Sequence, residues 1–231
     1  AVCLPLHALV LPRLSARAPA RSNVTSPTTD APAKPAIGRH FYFLGGAFAA
    51  ALFVFGALSV HLLNLLQVGG LTTAQAVMVA SVIGPMQVTG RVLELFFAKR
   101  LQPAQVGRLS LGLLFVALVL LASSSGSLAV GFIFAAVYGL SNGLLTIVRG
   151  TLPAVLFPAI PVGSLLGRLA RPTLLSMAIA PLCFSFVSAS AMPFAARVLA
   201  LSILAMLALV LLIAATRSLD VTALRTAQQE E

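Results

Sequence analysis

Charged side chains are scarce in this 231-residue chain. Only 9% of its residues are charged and 59% are hydrophobic, whereas an ordinary soluble domain contains about 25% charged residues. That scarcity excludes a water-soluble globular protein. Acids are scarcer still, since 5 Asp and Glu residues stand against 15 Lys and Arg residues and leave a net charge of +10.

The chain also lacks the residue patterns of common catalytic and metal sites. Its two cysteines, Cys3 and Cys183, lie in apolar sequence with no CxxC or His spacing that would suggest a disulfide framework or a metal site, and we interpret them as small buried hydrophobic residues. There is no HExxH or Gly-x-Ser-Gly sequence and no second acid to pair with Glu94. We therefore expect no enzyme activity, no metal and no cofactor. No aromatic residues interleave with the basic ones, which excludes nucleic acid as a partner.

Long hydrophobic runs are the feature that the chain has in abundance. No charged residue occurs in 41–90, 109–148, 172–196 or 198–216, and about 20 apolar residues suffice for a helix to cross a bilayer core. We predict an all-α membrane protein with six transmembrane helices. Their expected ranges are about 41–66, 73–97, 109–123, 128–148, 172–191 and 194–215.

The segments outside these helices differ in composition. Residues 1–12 are apolar but too short to span a bilayer, and we interpret them as the tail of a preceding transmembrane helix. Residues 13–40 are rich in Pro, Ser, Thr and Arg and are predicted to form a disordered basic cytoplasmic linker. The three prolines in 151–167 predict a long interfacial loop, and the polar residues 217–231 predict a cytoplasmic tail.

The distribution of basic residues predicts the orientation. If the linker is cytoplasmic, 14 of the 15 Lys and Arg residues fall on the inner side and only Arg197 lies near the outer side. Positive residues concentrate on the cytoplasmic side of membrane proteins. We therefore expect the lipid bilayer as a partner and both termini in the cytoplasm.

Three segments are similar to bacterial members of the major facilitator superfamily. Gly90-Arg91, followed by Lys99-Arg100, resembles the Gly- and Arg-rich segment between the second and third helices of a half, without the Asp of the fuller motif. Residues 141–153 and 166–172 also resemble that superfamily. The layout is similar to the carboxyl-terminal half of such a transporter.

The resemblance implies a particular architecture and location. The six helices would be one half of a twelve-helix bundle and would comprise two inverted three-helix repeats. An amino-terminal six-helix half would be the missing partner, and the location would be a bacterial inner membrane.

Polar residues at membrane depth are costly and point to function. The resemblance implies that the first and fourth helices line a central cavity. The substrate-pathway candidates are therefore His61, Asn64, Tyr138 and Asn142, together with Gln87 beside a proline. An interhelical hydrogen bond is the alternative for each of them.

Charged residues and prolines near the helix ends suggest coupling and movement. Glu94 is the only carboxylate near a membrane segment, and Arg91 lies one turn before it. These two residues and Arg149 are candidates for coupling or gating, with the histidine of the first helix as the alternative proton carrier. An inner-face charge clamp is the competing interpretation. Pro85 and Pro181 are candidate hinges.

Small residues at four-residue spacing predict close helix packing. Gly131, Ala135, Gly139 and Gly143 share one face of the fourth helix. Small side chains let two membrane helices approach closely. We expect this face to lie against another helix.

The function expected from these patterns is secondary active transport of a small solute by alternating access. A proton is one candidate for the coupling ion. The alternatives are a permease subunit of an ATP-driven importer, suggested by the loop at 151–167, and a stand-alone six-helix protein that acts as a dimer. The chain contains no P-loop sequence of its own.

Overall fold

The computed structural model describes residues 38–97, 100–124, 126–189 and 192–227. Within these ranges the chain forms six α-helices and no strand. The helices are α1 (Arg39–Val68), α2 (Thr73–Phe97), α3 (Pro103–Ala122), α4 (Leu128–Leu156), α5 (Val162–Ala189) and α6 (Phe194–Ala227). The predicted helix tail at 1–12 and nearly all of the predicted linker at 13–40 lie outside the described residues.

All six helices are long and apolar enough to cross a membrane. Their most apolar windows have mean hydropathies from 1.4 in α2 and α5 to 3.0 in α6. The shortest, α3, has 20 residues, which matches the thickness of a bilayer core. The prediction of an all-α protein with six helices suited to a membrane is confirmed.

The loop predicted over 151–167 is wrong. Helix α4 continues through Pro153 to Leu156, and α5 begins at Val162 and continues through Pro172. Only residues 157–161 separate the two helices. A proline removes one backbone donor and kinks a helix, but membrane helices tolerate this where neighbouring groups satisfy the exposed backbone.

Two other helix bounds differ from prediction. Helix α3 begins at Pro103 and not at residue 109, because proline fits the first turn of a helix, and Gln102 and Gln105 form a capping box there. Helix α6 extends to Ala227 through much of the predicted tail. No Gly or Pro occurs between Arg217 and Ala227 to end it.

The helices pair in a regular pattern. The most extensive contacts join α4 to α2 and to α3. Next come the contacts of α1 with α5, α1 with α6 and α3 with α6. Only a few residues touch between α1 and α2, between α4 and α5, and between α1 and α4. Helices α1 and α4 are therefore each flanked by three or more neighbours.

Glycines permit the closest of these contacts, as predicted for α4. A Cβ atom added to Gly139 would lie 2.7 Å from the carbonyl oxygen of Ile83 in α2. One added to Gly143 would overlap the carbonyl oxygen of Gln87. On the other side of the bundle, a Cβ on Gly56 in α1 would lie 2.6 Å from the Met177 carbonyl oxygen in α5. Backbone meets backbone at both helix crossings.

Hydrogen bonds between helices supplement this packing. The Ser110 hydroxyl donates to the Ser141 carbonyl oxygen at 2.9 Å, and the Ser141 hydroxyl donates to the Ser110 carbonyl oxygen at 2.8 Å. Both serines are fully buried between α3 and α4. Arg108 of α3 donates to the Thr216 hydroxyl of α6 at 2.7 Å. The buried side chains of Ser110, Ser141 and Thr216 are therefore hydrogen-bonded across helix interfaces.

Candidate functional site

A cavity of about 270 Å³ lies among α1, α2, α4 and α5, and we call it the central cavity. Each of these helices contributes side chains to it, and most of them are apolar. The polar ones come chiefly from one face of α4. Its lining residues are Leu52, Phe55, Leu58, Ser59, Leu62, Ile83, Gln87, Tyr138, Asn142, Arg149 and Met177.

Tyr138 is held rigidly in the wall of the central cavity. Its ring stacks on Phe134 with centroids 5.5 Å apart and contacts Phe55 of α1 at 5.2 Å. The residue is 4% exposed, and its hydroxyl group has no hydrogen bond within the described part of the chain. Every fully buried polar side-chain atom in this part of the chain has a hydrogen-bond partner, so the exposed part of Tyr138 includes its hydroxyl.

Two amide side chains share the cavity wall with Tyr138. Asn142 lies one turn further along α4, and Gln87 reaches the same cavity from α2. Both are partly buried, and neither side chain has a hydrogen bond to a described residue. The backbone of Gln87 lies against Gly143, so the close crossing of α2 and α4 determines where this amide is presented.

Arg149 lies where the central cavity adjoins a second one. The second cavity, of about 350 Å³, lies among α1, α4 and α5. Arg149 lines both cavities and is partly buried. The second cavity is lined by Phe48, Thr146, Arg149, Gly150, Leu166, Leu169, Ala170 and Thr173. The guanidinium group is the only charged group that the two linings contain.

His61 and Asn64 do not line either cavity. His61 Nε2 donates to the Pro181 carbonyl oxygen at 3.1 Å, and its ring contacts Phe184 at 5.2 Å. The Ser185 hydroxyl donates to the same carbonyl oxygen at 2.8 Å. Asn64, one turn further along α1, is exposed. For His61 the structure favours the alternative, an interhelical hydrogen bond.

Arg91 and Glu94 lie at the far end of α2. Arg91 is exposed and Glu94 is partly buried, and neither forms an ion pair with a described residue. Glu94 lines a separate apolar cavity of about 120 Å³ between α2, α3 and α4. Glu94 is the only carboxylate among the described side chains, and the structure does not bring it to the central cavity.

The two candidate hinges lie inside helices that continue past them. Pro85 lies in α2, and the Thr89 hydroxyl donates to its carbonyl oxygen at 3.0 Å. Pro181 lies in α5 and has no backbone N–H to donate to the Met177 carbonyl oxygen. That oxygen lies beside Gly56 of α1. Both prolines are therefore close to the interhelical crossings described above.

Sequence reasoning missed several residues that line the two cavities, of which three illustrate why. Phe55 and Ser59 come from α1 and Thr146 from α4. Thr146 was detectable, because it continues the four-residue spacing of Tyr138 and Asn142 on one helical face. Phe55 and Ser59 carry no such signal in a run of apolar residues.

Metal ligands are not grouped in this bundle. Among the described residues, no three His, Cys, Asp or Glu side chains come together in a way that could hold a metal ion. The polar groups of the central cavity are instead a hydroxyl, two amides and a guanidinium. They can bind a solute by hydrogen bonds and charge.

Comparison with known proteins adds no relative. No protein-family model matches the chain, and no curated protein matches its sequence.

Proposed function

We propose that this chain supplies half of the pathway of a secondary transporter that moves a small solute by alternating access. The observation that carries the proposal is the central cavity, which places Gln87, Tyr138, Asn142 and Arg149 together among apolar helices. Polar and ionisable groups at membrane depth mark solute and ion pathways. Pockets that bind solutes combine an apolar lining with a few converging polar groups.

The pairing of helices supports two three-helix repeats, α1–α3 and α4–α6. Exchanging α1 with α4, α2 with α5 and α3 with α6 turns every helix contact of the fold into another contact of similar extent. The pair α1 and α5 becomes α4 and α2, and the pair α1 and α6 becomes α4 and α3. If all six helices cross the bilayer, a unit of three reverses direction, so the second repeat is inverted.

The distribution of buried surface supports a second six-helix half. Only 17% of the most apolar window is buried in α2 and in α5, against 61% in α1. Helices α2 and α5 also contribute to the lining of the central cavity. We propose that an amino-terminal half of major facilitator type covers the exposed surfaces of α2 and α5 and completes the pathway. The proposed location is a bacterial inner membrane, with both termini of this chain in the cytoplasm.

The permease-subunit alternative depended on a long loop that could dock an ATPase. Residues 157–161 are the only non-helical residues between α4 and α5. That alternative therefore loses the feature that suggested it.

Uptake into liposomes tests the proposal. The native polypeptide that contains this chain is reconstituted, and uptake of labelled organic acids, amides, sugars and amino acids is measured with and without ATP. We expect saturable, ATP-independent uptake of one class, and a loss of about tenfold in Asn142→Ala, since a hydrogen bond to a charged or strongly polar group contributes about 1.5 kcal/mol or more.

The matched control is Leu118→Ala, which removes a fully buried side chain of the α3 interface and not of either cavity. It is expected to lower stability while leaving the solute preference unchanged. Uptake that requires ATP would favour the permease alternative. Absence of uptake of every class would contradict the transport proposal.

A further inference from the structure

We propose that the solute of the central cavity is a small monocarboxylate, bound by a charge-assisted pair with Arg149. This inference rests on the proposed function and adds the chemical class of the solute to it. It concerns the charge, hydrogen-bonding groups and apolar surface of the two cavities.

No described carboxylate lines the cavities beside Arg149. Glu94 is the only Asp or Glu among the described side chains, and it lines neither cavity. The other partly buried guanidinium groups have protein partners, since Arg108 donates to Thr216 and Arg197 donates to the Met192 carbonyl oxygen. No described residue forms a hydrogen bond or an ion pair with Arg149.

A partly buried cation without a counter-charge is energetically costly in an apolar environment. An anion that enters the cavity offsets this cost with a charge-assisted hydrogen bond, and the planar guanidinium group matches the geometry of a carboxylate. Because only one cation lines the cavities, one negative charge is neutralised. A monoanion therefore fits better than a dianion.

The remaining polar groups suit the same ligand. The amides of Asn142 and Gln87 and the hydroxyl of Tyr138 can all donate hydrogen bonds to carboxylate oxygens. They line the same cavity as Arg149. The rest of the lining, including Phe55 of α1, is mostly apolar and suits a hydrocarbon or aromatic body.

The size of the central cavity suits a small solute. Its volume is about 270 Å³, and short-chain and single-ring acids fit this space. The apolar wall discriminates against solutes with several polar groups, because each such group would lose its hydration without a partner.

Solute-dependent stabilisation tests this inference. The native polypeptide that contains this chain is purified in a neutral detergent, and its thermal unfolding is followed by circular dichroism. The probes are propionate, lactate and benzoate, each compared with its amide, and succinate as the dianion. We expect at least one monocarboxylate to raise the unfolding temperature in a saturable way. The corresponding amide and succinate should bind with an affinity at least about tenfold lower.

Three variants identify the group responsible. Arg149→Gln is expected to weaken binding of the acid at least about tenfold, since a charge-assisted pair is worth more than one factor of ten in affinity. Arg149→Lys retains the charge and is expected to retain part of the affinity. Arg217→Gln removes an exposed cation of α6 that lines neither cavity and is expected to bind as the wild type does.

Several results would overturn the inference. They are equal stabilisation by acid and amide, no acid-dependent stabilisation at all, or acid binding that persists in Arg149→Gln. If phosphatidylglycerol gives an Arg149-dependent shift that phosphatidylcholine and the acids do not, the anion is a lipid headgroup. If Arg149→Gln shifts stability without altering acid binding, the partner of Arg149 is a carboxylate of the protein.

Uptake separates failure of this inference from failure of the transport proposal. Uptake of an amide or another neutral solute, unchanged in Arg149→Gln, would leave transport standing and overturn the monocarboxylate. Arg149-dependent binding of an acid without uptake into liposomes would support the site and contradict transport.

Discussion

Adding a single methyl group at Gly143 tests whether the close crossing of α2 and α4 positions Gln87 in the central cavity. The Cβ atom of Gly143→Ala would overlap the Gln87 carbonyl oxygen and lie 3.0 Å from the Gln87 carbonyl carbon. These are backbone atoms, so no rotamer change can relieve the contact. Helix α2 must move away from α4, and the Gln87 amide moves with it.

The expected loss of stability follows from comparison with an open glycine. Gly112 lies inside α3 with no atom within 4 Å of an added Cβ, so Gly112→Ala is expected to stabilise the helix by about 0.5–1 kcal/mol. The same propensity gain applies to Gly143→Ala. The difference between the variants is therefore the overpacking cost alone, which is about 1–3 kcal/mol.

The assay is reversible unfolding of both variants in mixed micelles of dodecyl maltoside and SDS, followed by circular dichroism. We expect the free energy of unfolding of Gly143→Ala to be lower than that of Gly112→Ala by this amount. Solute affinity should also fall in Gly143→Ala, because Gln87 is displaced, and should be unchanged in Gly112→Ala. Equal stability of the two variants would refute the close crossing.

Three further substitutions test other contacts. Ser110→Ala and Ser141→Ala should each lose about 0.6–1.7 kcal/mol in SDS unfolding, and the double variant should lose about the sum, because each hydroxyl donates to a backbone carbonyl oxygen that the other substitution leaves in place; unchanged stability of both single variants would contradict these bonds. His61→Gln should retain more stability than His61→Ala, because an amide can donate to the same α5 carbonyl oxygen, and equal losses would argue against that bond. Thr216→Val should lower the thermal unfolding temperature through the lost bond to Arg108, whereas Thr216→Ser should not.

Local patterns predicted most of the helices. The starts of α2 at Thr73 and α4 at Leu128 and the end of α2 at Phe97 agree with prediction, because turn residues and charges lie next to charge-free runs. The prolines of 151–167 misled the prediction. Whether Pro153 and Pro172 end a helix depends on the surrounding packing, which the sequence does not display.

Only part of the cavity could be predicted. Tyr138 and Asn142 share a helical face by their spacing, and both line the central cavity. The contribution of Gln87 from α2 depends on the crossing at Gly143. The sequence suggested Arg149 for coupling or gating, and only the fold shows that it lines the same cavity. His61 was placed with the pathway, but the position of α5 puts it beside Pro181.

The sequence by itself determined that the chain forms helices long and apolar enough to cross a membrane, because burial in a bilayer requires long apolar runs and internal backbone hydrogen bonds. It also determined that acids would be scarce near the helices. The tertiary structure alone decided which polar groups meet. Glycines without side chains let α2 approach α4 and α1 approach α5, and those approaches leave Arg149 beside a cavity with no carboxylate in its lining.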